Sequence, residues 1–249
     1  MRSISRWFGA ALVTLVLAVP ASAQEVGRWA VGGSFSLNQP LFALRDYTGT
    51  TGKFGLNFSY VVSPRISVEF EYQRTKDEDA GLEGAEFVWF IDSRRYVDPD
   101  VSHEVDWNIL AFNAIVRLGD RPMLTAEQWN PYLTLGAGFY RYNSQVSKLV
   151  WPGQATAVTG NSSLDPNGGP GPDNALSLPD SHDRRAALTV NMGLGLEAFI
   201  IQNVSLDIRA RYHLSVGDLR PFNDFGLFQT FPIQQMDIGA GFKFYFLGG

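Results

Sequence analysis

The residue types best suited to chemistry meet at His213-Leu-Ser215, with Asp218 and Asp224 downstream. Two positions apart on a strand, an imidazole and a hydroxyl share one face, and such a pair is the minimum of a nucleophile with its base. The same alternation puts His213 on the face of Arg211, so the pair reads as polar residues at the rim of a charged surface, with no catalytic role. His103-Glu104 with Asp106, and His182-Asp183, carry ligand types without a fixed ligand spacing, so no metal is expected. Asp77, Glu78, Asp79, Asp98 and Asp100 have the composition of solvated, charged loops. Gly136-Ala-Gly138 and Gly193-Leu-Gly195 precede no helix N-terminus and are not phosphate loops. They read as inward strand glycines that leave room for charged neighbours. No cofactor is expected.

A larger constellation is spread along the chain. Glu69, Glu71, Glu197, Asp207 and Asp237 stand on the polar faces of alternating segments, as do Arg117, Arg209, Arg211 and Lys243. If those faces line one narrow interior, the opposite charges must pair, because unpaired burial costs several kcal/mol or about that order. Such a network, with Tyr140 and Tyr245 around it, would fill the interior.

The elements that position these charges are eight β-strands of period two. They are read at Trp29–Leu37, Phe54–Val62, Ile66–Gln73, Val105–Leu118, Tyr132–Tyr142, Leu188–Ala198, Val204–Leu214 and Met236–Phe246. The fourth has an ambiguous phase. Trp107 and Ile109 favour one face, whereas Leu110, Phe112, Val116 and Leu118 favour the other, which predicts a bulge between Asn108 and Leu110. Connections alternate between short turns, Ser63-Pro64-Arg65 and Gln202-Asn203, and long polar loops, above all Asn143 to about Arg184. Thr75–His103 reads as a loop with an aromatic patch, Phe87-Val88-Trp89-Phe90, and Ser215–Ile233 as the last loop.

Composition narrows the function. The chain has 249 residues, no cysteine and a net charge of −5. Residues 1–23 join Arg2 and Arg6 to an apolar run from Trp7 to Val19 and a small-residue site at Ala21-Ser22-Ala23, the pattern of a secretory signal peptide cut before Gln24. The barrel then occupies residues 24–249. Without those two arginines, 18 basic face 25 acidic residues. An acidic chain with no basic stripe excludes nucleic acid as a partner.

The final strand carries a resemblance. Gly241, Phe244 and Phe246 resemble the C-terminal signal of bacterial outer-membrane β-barrels, and the whole mature chain resembles the small OmpA/OmpX-like barrels. This resemblance implies an all-β, eight-stranded antiparallel up-and-down transmembrane barrel in the cell outer membrane. It implies outer-membrane lipids and the barrel assembly machinery as partners, and long loops open to an extracellular ligand. A structural, surface-interacting role with a plugged lumen is expected. An OmpW-like passage for small apolar molecules would need an apolar lining near the outer mouth, for which Tyr140 and Tyr245 are candidates. His213 and Ser215 also resemble the His-x-Ser of eight-stranded lipid A deacylases. Val216-Gly217 follows here instead of that family's Asn-Ala, and no glutamate stands in the loop beyond.

Overall fold

The alternating segments become strands because each offers one apolar and one polar face to two different surroundings. A computed structural model describes residues 26–46, 48–77, 86–89, 95–97, 101–118, 129–148, 179–220, 227–228 and 230–246. The segment read as a signal peptide, the tail Leu247–Gly249 and most of the Asn143–Arg184 connection lie outside the described residues. So do Glu78, Asp79, Asp98 and Asp100.

The strands in chain order begin with β1 (Trp29–Pro40), β2 (Thr51–Ser63) and β3 (Ile66–Asp77). Two short strands follow, β4 (Glu86–Trp89) and β5 (Arg95–Val97), then β6 (Ser102–Arg117) and β7 (Trp129–Ser147). The last are β8 (Ser181–Ile201), β9 (Val204–Leu219), β10 (Leu227–Phe228) and β11 (Phe231–Phe246). Eight of them close in the order β1-β11-β9-β8-β7-β6-β3-β2, each antiparallel to its neighbours in the ring. Followed from Trp29 through Tyr60, Val68, Ala114, Leu135, Met192, Tyr212 and Met236, the pairing returns to β1 at Gln39, ten residues further along. For eight strands that stagger sets a tilt of about 40° and an interior just wide enough for side chains.

The short turns and both ends of the barrel chain gather at one end, here the turn end. The long connections leave from the other, the loop end. At the loop end a 3-10 helix, Phe42–Asp46, folds back over the mouth and buries Leu44 completely.

Three readings of the sequence are corrected. The fourth strand has no bulge: β6 pairs with β3 and β7 without any shift of register, and Val105, Trp107, Ile109, Ala111 and Ile115 all point inward. The shifts lie instead at Val61/Ser63, Phe199/Ile201 and Pro232/Gln234. Beside the second of these, Ala198 is buried although its phase read outward. The polar connections are also shorter than they read. β7 runs for 19 residues and β8 for 21, taking strand structure through Asn143 and back to Ser181. Finally, the Thr75–His103 segment contains β4 and β5, which join β10 in a separate three-stranded sheet. The aromatic patch lies partly on β4.

Outward residues form a belt. Phe35, Phe54, Leu56, Phe112, Leu135, Leu194 and Phe242 are all exposed. Trp29 and Trp129 mark its edge at the turn end, with Trp29 stacked on Phe58 at 5.0 Å. Tyr72 and Phe139 mark its edge at the loop end. From Trp29 to Leu37, the rise of a tilted strand makes the belt roughly 20–25 Å tall.

Candidate functional site

The inward face is the candidate site, and it is layered along the barrel axis. At the turn end Ala30, Val61, Phe199 and Tyr245 form a small apolar layer. The Arg28 guanidinium lies 5.7 Å from the centre of the Tyr245 ring and donates to the Tyr245 carbonyl at 3.3 Å. Tyr245 therefore closes the turn end. As an apolar lining for the outer mouth it is excluded by position.

The middle layer is charged. β3 and β9 stand opposite each other in the ring, so inward side chains from the two meet across the lumen. Arg209 Nη1 donates to Glu69 Oε1 at 3.0 Å, and Arg211 grips Glu71 with both terminal nitrogens, Nη2 at 3.1 Å from Oε1. Arg209 also donates to Asp207 on its own strand. Lys243 of β11 reaches Glu69 at 2.8 Å and Asp207 at 3.3 Å. Arg117 of β6 donates to Glu197 of β8 at 3.2 Å and to Ser67 at 2.9 Å. Glu197 further accepts from Ser205 at 2.7 Å and from Tyr245 at 2.6 Å. Asp237 accepts from Lys53 at 2.8 Å, and His213 Nε2 stands 2.9 Å from its other oxygen.

All nine charged residues read from the sequence are thus buried inside the barrel, and each has a partner there. Sequence reasoning missed the tenth, Lys53, because the second strand was started at Phe54, three residues after its true beginning at Thr51. In phase with Gly55, Asn57 and Ser59, it belongs to the same inward row. With it, Lys53, Arg117, Arg209, Arg211 and Lys243 balance Glu69, Glu71, Glu197, Asp207 and Asp237. Burying such charges is costly, so the geometry specifies a lumen more than it adds stability. Neutral partners were missed as well: Tyr132 donates to Asp207 at 2.6 Å, and Asn113 donates to Glu71 at 3.2 Å. Glycines make the space. A Cβ at Gly195 would stand 2.1 Å from the Tyr132 ring, and one at Gly193 would meet the Arg211 stem at 2.5 Å.

Above this, toward the loop end, the lumen turns apolar. Leu44, Val105, Trp107, Ile109, Tyr140, Tyr142, Leu219 and Ile233 form one buried cluster. Trp107 meets Tyr140 edge-on at 5.1 Å. The tyrosine hydroxyls are satisfied: Tyr140 donates to Gln235 at 2.6 Å and Tyr142 to the Asp218 carbonyl at 2.9 Å.

The smaller motifs fall apart on this geometry. His213 and Ser215 both point into the closed interior. A second His–Ser pair, His103 with Ser144 at 2.7 Å, is enclosed above the apolar cluster. Alternation sends His103 inward but Glu104 and Asp106 outward, where they pair with Lys76 at 3.2 Å and Arg74 at 3.8 Å. Asp77 accepts from the Gly49 amide at 3.0 Å. At the turn end, Phe244 and Phe246 lie on the outward phase of β11, their rings stacked 6.4 Å apart. Gly241 faces inward, against Ser34.

The family described as "Outer membrane protein beta-barrel domain" matches residues 9–246. No curated protein matches the chain. The solved major outer membrane protein of Thermus thermophilus is similar, with 10% identity and a TM-score of 0.51, over 89% of this chain and 100% of its own. Neisserial surface protein A is 14% identical with a TM-score of 0.48, over 88% and 97%. Ail, the attachment invasion locus protein of Yersinia pestis, is 10% identical with a TM-score of 0.46, over 89% and 100%. Likeness at such identities speaks for the fold alone. On the match of the family across nearly its whole length, this chain belongs to the outer membrane protein β-barrel domain family and is a protein of the bacterial outer membrane.

Proposed function

We propose that the barrel is a closed scaffold that holds its long connections at the cell surface for an extracellular ligand. The observation that carries this reading is a lumen closed by buried apolar side chains at both ends. The paired charges of the middle layer are shut in by Tyr245 and Phe199 at one end and by Leu44, Trp107 and Tyr142 at the other. The test is conductance in a planar bilayer. The expected result is no steady current, and large stable single-channel currents would reject the scaffold reading.

Outer-membrane lipids surround the belt on this reading, and the assembly machinery takes hold of β11 through Gly241, Phe244 and Phe246. Phe244→Ser with Phe246→Ser is expected to cut membrane levels sharply, whereas deleting Leu247–Gly249 is mild. A tail deletion that proves the worse of the two would move the signal elsewhere.

One observation favours a second reading, the OmpW-like passage of small apolar molecules. The lining at the loop end is apolar, and Leu44, which fills it, comes from a 3-10 helix instead of a barrel strand. Uptake of an apolar solute into vesicles that rises with Leu44→Ala would favour it. Catalysis is not assigned. His213 and Ser215 face the lumen, away from the belt where acyl chains lie.

A further inference from the structure

The belt is not smooth. A cleft opens on the outer surface where Gly33 and Ala240 contribute little or no side chain, with Phe35, Phe54, Leu56 and Phe242 as its walls. Arg74 stands on its rim. Phe35, Phe54 and Arg74 share one register row. Because the strands tilt, a row climbs toward the loop end as it passes from β1 to β3, so the guanidinium lies at the cleft's outer edge, where the belt ends.

Arg74 has a side chain 62% exposed, and its ion pair with Asp106 is long at 3.8 Å. Beyond it the outward surface is basic. One row runs Arg74, Asn108, Arg141, Ala186, and the next Lys76, Asp106, Asn143, Arg184. Four cations thus meet one carboxylate in these rows, with Glu104 of the row beyond paired to Lys76 at 3.2 Å, in a chain whose net charge is −5. Arg141 is exposed and has no ion pair among the described residues. An apolar cleft that ends in a guanidinium, with more cations at the height of the headgroups, is complementary to an anionic amphiphile. Guanidinium groups bind phosphate with two parallel hydrogen bonds.

We propose that this cleft and the basic rows above it bind a phosphorylated glycolipid of the outer leaflet. An acyl chain lies between Phe54 and Phe242, and the phosphates meet Arg74 and Arg141. The site is independent of whether the lumen conducts, so it can fail while the scaffold reading stands.

The test is thermal unfolding of the purified protein in neutral detergent, alone or with added lipid. Phosphorylated lipopolysaccharide is expected to raise Tm by about 5 °C at saturating concentration. Dephosphorylated lipopolysaccharide and phosphatidylglycerol should give less than half that shift. Arg74→Gln with Arg141→Gln should abolish it while leaving Tm in detergent alone unchanged, since both side chains are exposed. Gly33→Leu, which fills the cleft floor, should also reduce it. A Cβ there stands 3.6 Å from the nearest atom of Phe242, an ordinary contact, and an unchanged Tm in detergent alone checks that the variant folds. The proposal is overturned by no shift in the wild type, by an equal shift in the double variant, or by an equal shift with phosphatidylglycerol. It is overturned too if scattering shows a dimer in detergent that Gly33→Leu makes monomeric, since the cleft would then seat a second copy.

Discussion

Two stretches of the same strands follow opposite rules. Along the belt, β9 turns Leu206, Ile208 and Ala210 outward and Asp207, Arg209 and Arg211 inward. Nearer the loop end, β6 turns Glu104, Asp106 and Asn108 outward and Val105, Trp107 and Ile109 inward. In both stretches the alternation holds; the surroundings change. Outside the belt is lipid, where an apolar side chain gains nothing by hiding and a charged one must find partners inside. Beyond the belt is water, and there the hydrophobic effect collects tryptophan and tyrosine in the interior as in any soluble protein. The barrel is a membrane protein over its lower part and a small soluble core above it.

The largest effect expected from breaking this division is Arg209→Ala. It leaves Glu69 and Asp207 to share Lys243, and should cost about 3–5 kcal/mol of the whole barrel's stability. Urea unfolding from lipid vesicles measures it. A loss below about 1 kcal/mol would mean that water screens the network.

Trp107→Ala should remove a comparable local stability, about 3–5 kcal/mol, but from the outer core alone. Hydrogen exchange is expected to quicken in the loop-end halves of β6 and β7 while the belt segments stay protected. Uniform loss of protection would show the two regions to be one cooperative unit.

The smallest effects sharpen the boundary itself. Leu194 and Ala186 lie on β8 in the same outward phase, one inside the belt and one beyond it. Leu194→Arg should cost about 2–4 kcal/mol, and Ala186→Arg at most about 1. Equal costs would put the edge of the belt elsewhere on β8.

The same comparison explains what the sequence made legible. Strand number, closure and the inward charges followed from period two, because each strand inside the belt has one apolar face and one polar or small face. Periodicity names faces but not the solvent on each, so the switch along β6 looked like a defect in the strand. The polar ends of β7 and β8 read as loop for the same reason, since Asn143, Gln145 and Arg184 are outward strand residues in water. Nor could the sequence show that Arg209 meets Glu69, a partner 140 residues away across the lumen.

That the barrel is sealed by β1 against β11 bears on how the protein is made. The contact of Arg28 with Tyr245 joins residues 217 apart, so the seam forms only when the last strand has arrived. Until then the nascent sheet has two bare edges, open to pairing with other chains. Its arginines and carboxylates face no opposite wall, and entering lipid in that state would strand them. Loops of such length close slowly. Membrane entry and closure must therefore be nearly simultaneous, and a chain truncated before β11 should neither insert nor stay soluble without a chaperone.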